Sequence, residues 1–141
     1  MNRVVYVSQF SEKLKNNFEK EISIILQKSR KSNLELDITG LLVVNDNHFM
    51  QILEGGTKEL EDLLTKISHD ERHTHCSIIQ RESITDRLYA KWSMAFKELE
   101  KNDLKHLDRI YSWDDIMSSA EKGIKIPEDK IQEVVRSFII K

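Results

Sequence analysis

Ile38-Thr39-Gly40-Leu41-Leu42-Val43-Val44, Asn45-Asp46-Asn47 and His48-Phe49-Met50-Gln51-Ile52-Leu53 run consecutively and decide the fold. Two apolar runs flanking a short Asn/Asp turn predict a β-hairpin, which Gly55-Gly56 ends. Upstream, Val4-Val5-Tyr6-Val7 lies in a buried central strand over 3–8, and Ser11 is placed to cap a long helix. Leu14, Phe18, Ile22 and Ile25 recur along that helix at helical spacing. Lys28, Arg30 and Lys31 sit in its last turns, and Asn33 falls where it should terminate. Downstream, Thr57 caps a second helix with Leu60, Leu63, Leu64 and Ile67 on one stripe. Two more strands follow, around Cys76–Gln80 and Trp92–Phe96. The order βαββαβ plus one strand predicts an α+β, ferredoxin-like sheet with two helices packed on one face.

From Asn102 onward the pattern is helical throughout. Leu104, Leu107, Ile110 and Tyr111 form one amphipathic segment; Ser112-Trp113-Asp114-Asp115 starts a second, and Gly123 stops it. Pro127 opens a final helix with Glu128 and Asp129 in its first turn and a stripe of Ile131, Val134, Val135, Phe138 and Ile139. These helices are expected to cover the other sheet face. The chain divides into a body over 1–97 and a helical extension over 98–141 of the same domain.

A length of 141 residues, 39% apolar and 33% charged, suits one domain with one core. A net charge of −2 leaves no basic footprint for nucleic acid. Apolar stretches are too short to span a membrane, and the N-terminus carries no leader pattern. One cysteine, Cys76, cannot form an internal disulfide and reads as a core thiol, so the expected location is the cytoplasm.

Polar side chains set in core strands are the anomaly. Period-2 alternation puts Phe49, Gln51 and Leu53 on one strand face, Tyr6 with Val4 on another, and Trp92, Met94 and Phe96 together on the last strand. A buried amide such as Gln51 has up to about four hydrogen-bonding demands, and leaving one unmet costs roughly 1–3 kcal/mol. A neighbouring backbone group, a water or a ligand can each meet it. His69 and His73 share helical spacing near His75, yet no HExxH arrangement or second ligand cluster accompanies them, and no metal is expected. There is no phosphate-cradling glycine loop and no nucleophile-and-base signature, so an enzyme is not expected.

Taken in order, Tyr6-Val7-Ser8, Ser29-Arg30 with Asn33, Ile38-Thr39-Gly40-Leu41-Leu42, Phe49-x-Gln51-x-Leu53-Glu54-Gly55, Asp70-x-Arg72-His73 and Trp92-Ser93-Met94 closely resemble the BLUF family, sensors of blue light using FAD. The resemblance runs from about residue 3 to residue 97. It implies a non-covalently bound FAD whose ring lies between the two sheet-packed helices, with Ile25 and Ile67 as apolar jaws. It places Asn33 at the polar edge of the ring and Ser29 and Phe49 beside it. Asp70, Arg72 and His73 would lie near the ring edge or the ribityl-phosphate arm, and Lys66 near the phosphates.

The same resemblance implies the photochemistry. Tyr6 is a one-electron donor to the excited flavin, and Gln51 bridges phenol and ring and rearranges by rotation or tautomerisation. Trp92 and Met94 carry the change outward, and which of them packs near Gln51 stays open; Trp92 is also a competing electron donor. A short, stand-alone sensor of this kind acts by binding something, so a homo-oligomer or a separate protein partner is expected to take the output. A ferredoxin-like interaction module without cofactor, and a flavin enzyme, are the alternative readings of the same chain.

Overall fold

The computed structural model describes residues 1–11, 16–69 and 73–138, with the backbone alone for 73–75. Strand β1 (Asn2–Phe10) leads to helix α1 (Phe18–Glu35), then β2 (Thr39–Asn45), β3 (His48–Gly55), α2 (Thr57–Ser68), β4 (His73–Ser83) and β5 (Ala95–Glu98). Helices α3 (Lys101–Asp108), α4 (Trp113–Glu121) and α5 (Glu128–Ser137) complete the chain. The sheet order is β4-β1-β3-β2-β5; each neighbouring pair among the first four strands is antiparallel, and β5 joins β2 in parallel. This is the expected α+β, ferredoxin-like arrangement with one extra edge strand.

Local chemistry accounts for the turns. Asp46 takes φ 55 in the hairpin, the left-handed conformation that a short Asx side chain tolerates. Gly40 lies so close to β3 that a Cβ there would collide with the Ile52 carbonyl, so glycine is required. Ser112 caps α4 by accepting from the Asp115 N–H at 3.1 Å. Gly123, at φ 70, follows the end of that helix.

Two cores sandwich the sheet. Val4, Tyr6, Leu42, Val44, Phe49 and Leu53 face α1 and α2, packing with Ile22, Leu26, Leu60 and Met94. The alternate residues Val5, Val7, Leu41, Val43, Met50 and Ile52 face the C-terminal helices, against Leu107, Trp113, Ile116, Val134 and Val135. The helical extension therefore covers the second face, as its apolar stripes require.

Several local expectations are corrected. The N-cap of α1 is Asn17, not Ser11; Leu14 lies outside the described residues. The helix continues to Glu35, so Lys28, Arg30 and Lys31 precede its last turn and Asn33 is inside it. A tertiary bond holds that extra turn, as set out below. Gly56, not Thr57, is the N-cap of α2; the Thr57 hydroxyl instead accepts from Asn2 Nδ2 at 2.8 Å. The last strand starts only at Ala95, so Trp92 and Met94 precede it. Cys76 is exposed rather than core, because it lies on β4, an edge strand. Ile139 lies outside the described residues, as do Asp70 and Arg72. Among the described residues no helix is long and apolar enough to cross a membrane.

We propose that the extension and the sheet form one cooperative unit. Leu107→Ala, which empties a fully buried position on α3, is expected to destabilise the whole chain by about 2–5 kcal/mol. Urea unfolding followed by far-UV circular dichroism and, in a Trp92→Phe background, by Trp113 fluorescence should give one coincident, shifted transition. A separate early transition of the helices would contradict the single unit.

Candidate functional site

Tyr6 and Gln51 are direct partners across the antiparallel β1–β3 ladder, and both point to the face beneath α1 and α2. Opposed side chains on adjacent strands stand about 4.5–5.5 Å apart at Cβ, so phenol and amide are neighbours by register alone. Aromatic packing fixes the phenol: the Phe49 ring meets Tyr6 edge-on at 6.2 Å and 81°. Phe49 in turn stacks on Phe10 at 5.2 Å, and Phe10 meets Phe18 of α1 at 5.3 Å.

The buried Gln51 amide donates from Nε2 to the Met94 sulfur at 3.6 Å. This answers the question left open between Trp92 and Met94. Met94 is 1% exposed and part of the core under α1 and α2, whereas Trp92 is 43% exposed at the surface. A thioether is a weak acceptor, so Gln51 is placed rather than locked.

Backbone bonds hold Met94 where it is. The Gly40 N–H donates to the Trp92 carbonyl at 3.0 Å, Asn33 Nδ2 to the Ser93 carbonyl at 2.7 Å and Arg30 Nε to the Met94 carbonyl at 2.9 Å. Three successive carbonyls are thus clamped by β2 and by one turn of α1. Ser29-Arg30 and Asn33 carry the family resemblance in the sequence, but this clamp was not read from them. Its acceptors are main-chain groups that no side-chain pattern displays.

Asn33 does not serve as a helix C-cap. It is buried in α1, and among the described residues its Oδ1 is a buried acceptor with no partner. Such an orphan costs about 1–3 kcal/mol unless a donor reaches it. On the same face, Ile25, Leu63, Leu64 and Ile67 are only partly buried. An orphaned acceptor, an amide held only weakly by a thioether and incompletely covered apolar side chains fit a flat heteroaromatic ring that carries both imide N–H and carbonyl groups, as flavin does. Ser29 is half-buried and Lys66 exposed. His73 opens β4 with its backbone opposite Phe10, and its side chain lies outside the description, as does that of His75. Among the described residues no group of three or more His, Cys, Asp and Glu could hold a metal.

Comparison with known proteins identifies the family and the fold. The family model described as "BLUF: Sensors of blue-light using FAD" matches residues 1–95. The structure of BlsA in its photo-activated state aligns with a TM-score of 0.80 and 25% identity, covering 100% of this chain and 96% of that one. The dark-state structure of BlrB, a BLUF protein, aligns with a TM-score of 0.73 and 28% identity, covering 98% and 94%. The photoactivated adenylate cyclase subunit alpha of Euglena gracilis is 29% identical over 106 residues, 75% of this chain but 10% of the relative. The chain thus spans about a tenth of that curated relative's length.

Asn33→Ala removes one jaw of the clamp and leaves the Ser93 carbonyl without its donor. In ligand-free protein, trypsin should then cut after the exposed Lys91 about five- to tenfold faster, the change expected when one buried hydrogen bond no longer opposes local opening. An unchanged cleavage rate would show that Asn33 does not hold the segment.

Proposed function

The chain belongs to the BLUF family, and on that premise we propose that it detects blue light through Tyr6, Gln51 and Met94 acting on a bound FAD. The observation that carries this reading is the pairing of Tyr6 with Gln51 on the core face under α1 and α2, with Gln51 Nε2 on the Met94 sulfur. When bound, flavin absorbs blue light and takes one electron from a nearby phenol. Tyr6 gives up that electron together with its phenolic proton, which passes toward the Gln51 amide. Both return to Tyr6 in the dark, so no co-reactant is consumed.

While the proton is displaced, the amide can turn or tautomerise, because its Nε2 is held by a soft sulfur acceptor. The turned amide would find an alternative acceptor in a ring carbonyl of the bound flavin, and the light-driven change at the Tyr6 phenol would bias this two-state side chain toward it. Met94, relieved of its donor, carries the change into the clamped segment, and Trp92 reports it at the surface. Ile25 and Ile67 grip the ring, Asn33 offers its orphaned oxygen to the polar edge, and Ser29 and Phe49 line the slot. The family resemblance assigns Asp70, Arg72 and His73 to the ring edge or the ribityl-phosphate arm; Asp70, Arg72 and the His73 side chain lie outside the described residues. The chain acts as a sensor, not an enzyme, and passes its state to a second copy or to a separate protein.

Purified protein should be yellow, and blue light should produce a small red shift that reverses in the dark. Cofactor released by denaturation should run as FAD rather than FMN on chromatography. Tyr6→Phe and Gln51→Leu should each keep the flavin and lose the shift. Colourless protein that FAD cannot reconstitute would overturn the reading, and a normal photocycle in either variant would overturn the roles given to these two residues. A light-dependent change in elution volume, alone or with partner, is expected for the output.

A further inference from the structure

A second polar network lies on the far side of the sheet from Gln51. Glu54 is fully buried on β3 and accepts from Arg3 Nε at 2.9 Å, from the Leu88 N–H at 2.9 Å and from the Tyr89 N–H at 2.8 Å. Arg3 continues through Nη1 to Glu82 at 3.2 Å, and Glu82 accepts from Gln132 Nε2 of α5 at 3.3 Å. Tyr89, with no exposed surface, closes the ring by donating its hydroxyl to the Val135 carbonyl of α5 at 3.0 Å. The circuit leaves α5 at Gln132 and returns to it at Val135, one turn later, after passing through β4, β1, β3 and the segment before β5. Burial, and after it the Glu54 carboxylate, pushes the Tyr89 phenol well above its ordinary ionisation range, so the hydroxyl stays a donor.

The two networks share one short piece of chain. Residues 89–94 carry Tyr89 at one end and Met94 at the other, with the Trp92 N–H donating to the Tyr89 carbonyl at 3.0 Å between them. One end touches Gln51 and the other touches α5.

We propose that Tyr89 is a positioning residue that latches this segment to α5, so that rearrangement at Gln51 is delivered to the C-terminal end of that helix. The inference rests on the light-sensing reading above and adds the output element to it. A buried charged pair with all its partners would stabilise the fold without any signalling role. That alternative gives an α5 that is equally protected in dark and light. The latch gives an α5 whose last turn loosens when Met94 loses its donor.

Hydrogen exchange read by mass spectrometry on peptides spanning 128–138 separates the two. Wild-type protein with its flavin should exchange faster there under blue light than in the dark. Tyr89→Phe removes one oxygen and keeps the ring in its place. It should retain flavin and red shift, exchange about fivefold faster in the dark than wild type because one buried hydrogen bond is gone, and lose the light-minus-dark difference. The faster dark exchange is also expected without flavin. A wild-type red shift with no light-minus-dark difference in α5 overturns the latch and leaves the photoreceptor standing. A full wild-type difference in Tyr89→Phe likewise overturns the role of Tyr89. Absence of any red shift in wild type overturns the photoreceptor reading, and the latch with it.

Discussion

The register between β1 and β3 is the constraint on which everything else depends. Both strands lie in the middle of the sheet and are covered on both faces, so each parity of residue belongs to a different core. A slip of one residue would exchange Tyr6 for Val5 or Val7, or Gln51 for Met50 or Ile52, and would reverse every apolar residue of the slipped strand as well. Each misplaced Val, Leu or Ile forfeits up to about 1.5–3 kcal/mol of burial. The polar pair contributes little to this choice. Its neighbours set the register, and Tyr6 and Gln51 are carried into contact by it.

On that rigid base, strength of interaction is distributed unevenly. The backbone around the site has strong partners: the carbonyls of 92, 93 and 94 accept from an amide N–H, an Asn and an Arg, and the Glu54 carboxylate accepts from three donors. The group proposed to move, the Gln51 amide, is held by a sulfur. A switch needs its two states to lie within a few kcal/mol of each other. A weak partner for the mobile side chain and strong partners for the backbone around it meet that need without softening the core.

The sheet was legible in the sequence because its signals are local: an Asn/Asp turn between apolar runs, and stripes at helical spacing. The adjacency of Tyr6 and Gln51 followed once strand alternation was joined to the family resemblance. What local reading missed was set by tertiary bonds. Asn33 looked like the end of a helix, yet its Nδ2 bond to the Ser93 carbonyl keeps the helix going through it. Trp92 and Met94 were placed on one strand face by a period-2 argument, but they precede the strand, so their opposite fates, surface and core, obey the carbonyl clamp instead. Cys76 read as core because a free thiol usually behaves as a small buried hydrophobe, and its strand proved to be an edge. Arg3, Glu54, Glu82 and Gln132 are ordinary polar letters until the fold brings them together.

Gln51 and Glu54 show how one strand can serve two faces. An odd separation along β3 sends their side chains to opposite sides, so the amide faces the helices proposed to hold flavin and the carboxylate faces the C-terminal helices. Neither can influence the other through the strand without breaking the ladder, which the two-sided burial forbids. A connection must therefore go around the edge of the sheet, and residues 89–94 do so, between β4 and the β5 edge. The fold thus confines movement to side chains and one pinned segment while the sheet stays fixed as a partition between input and output.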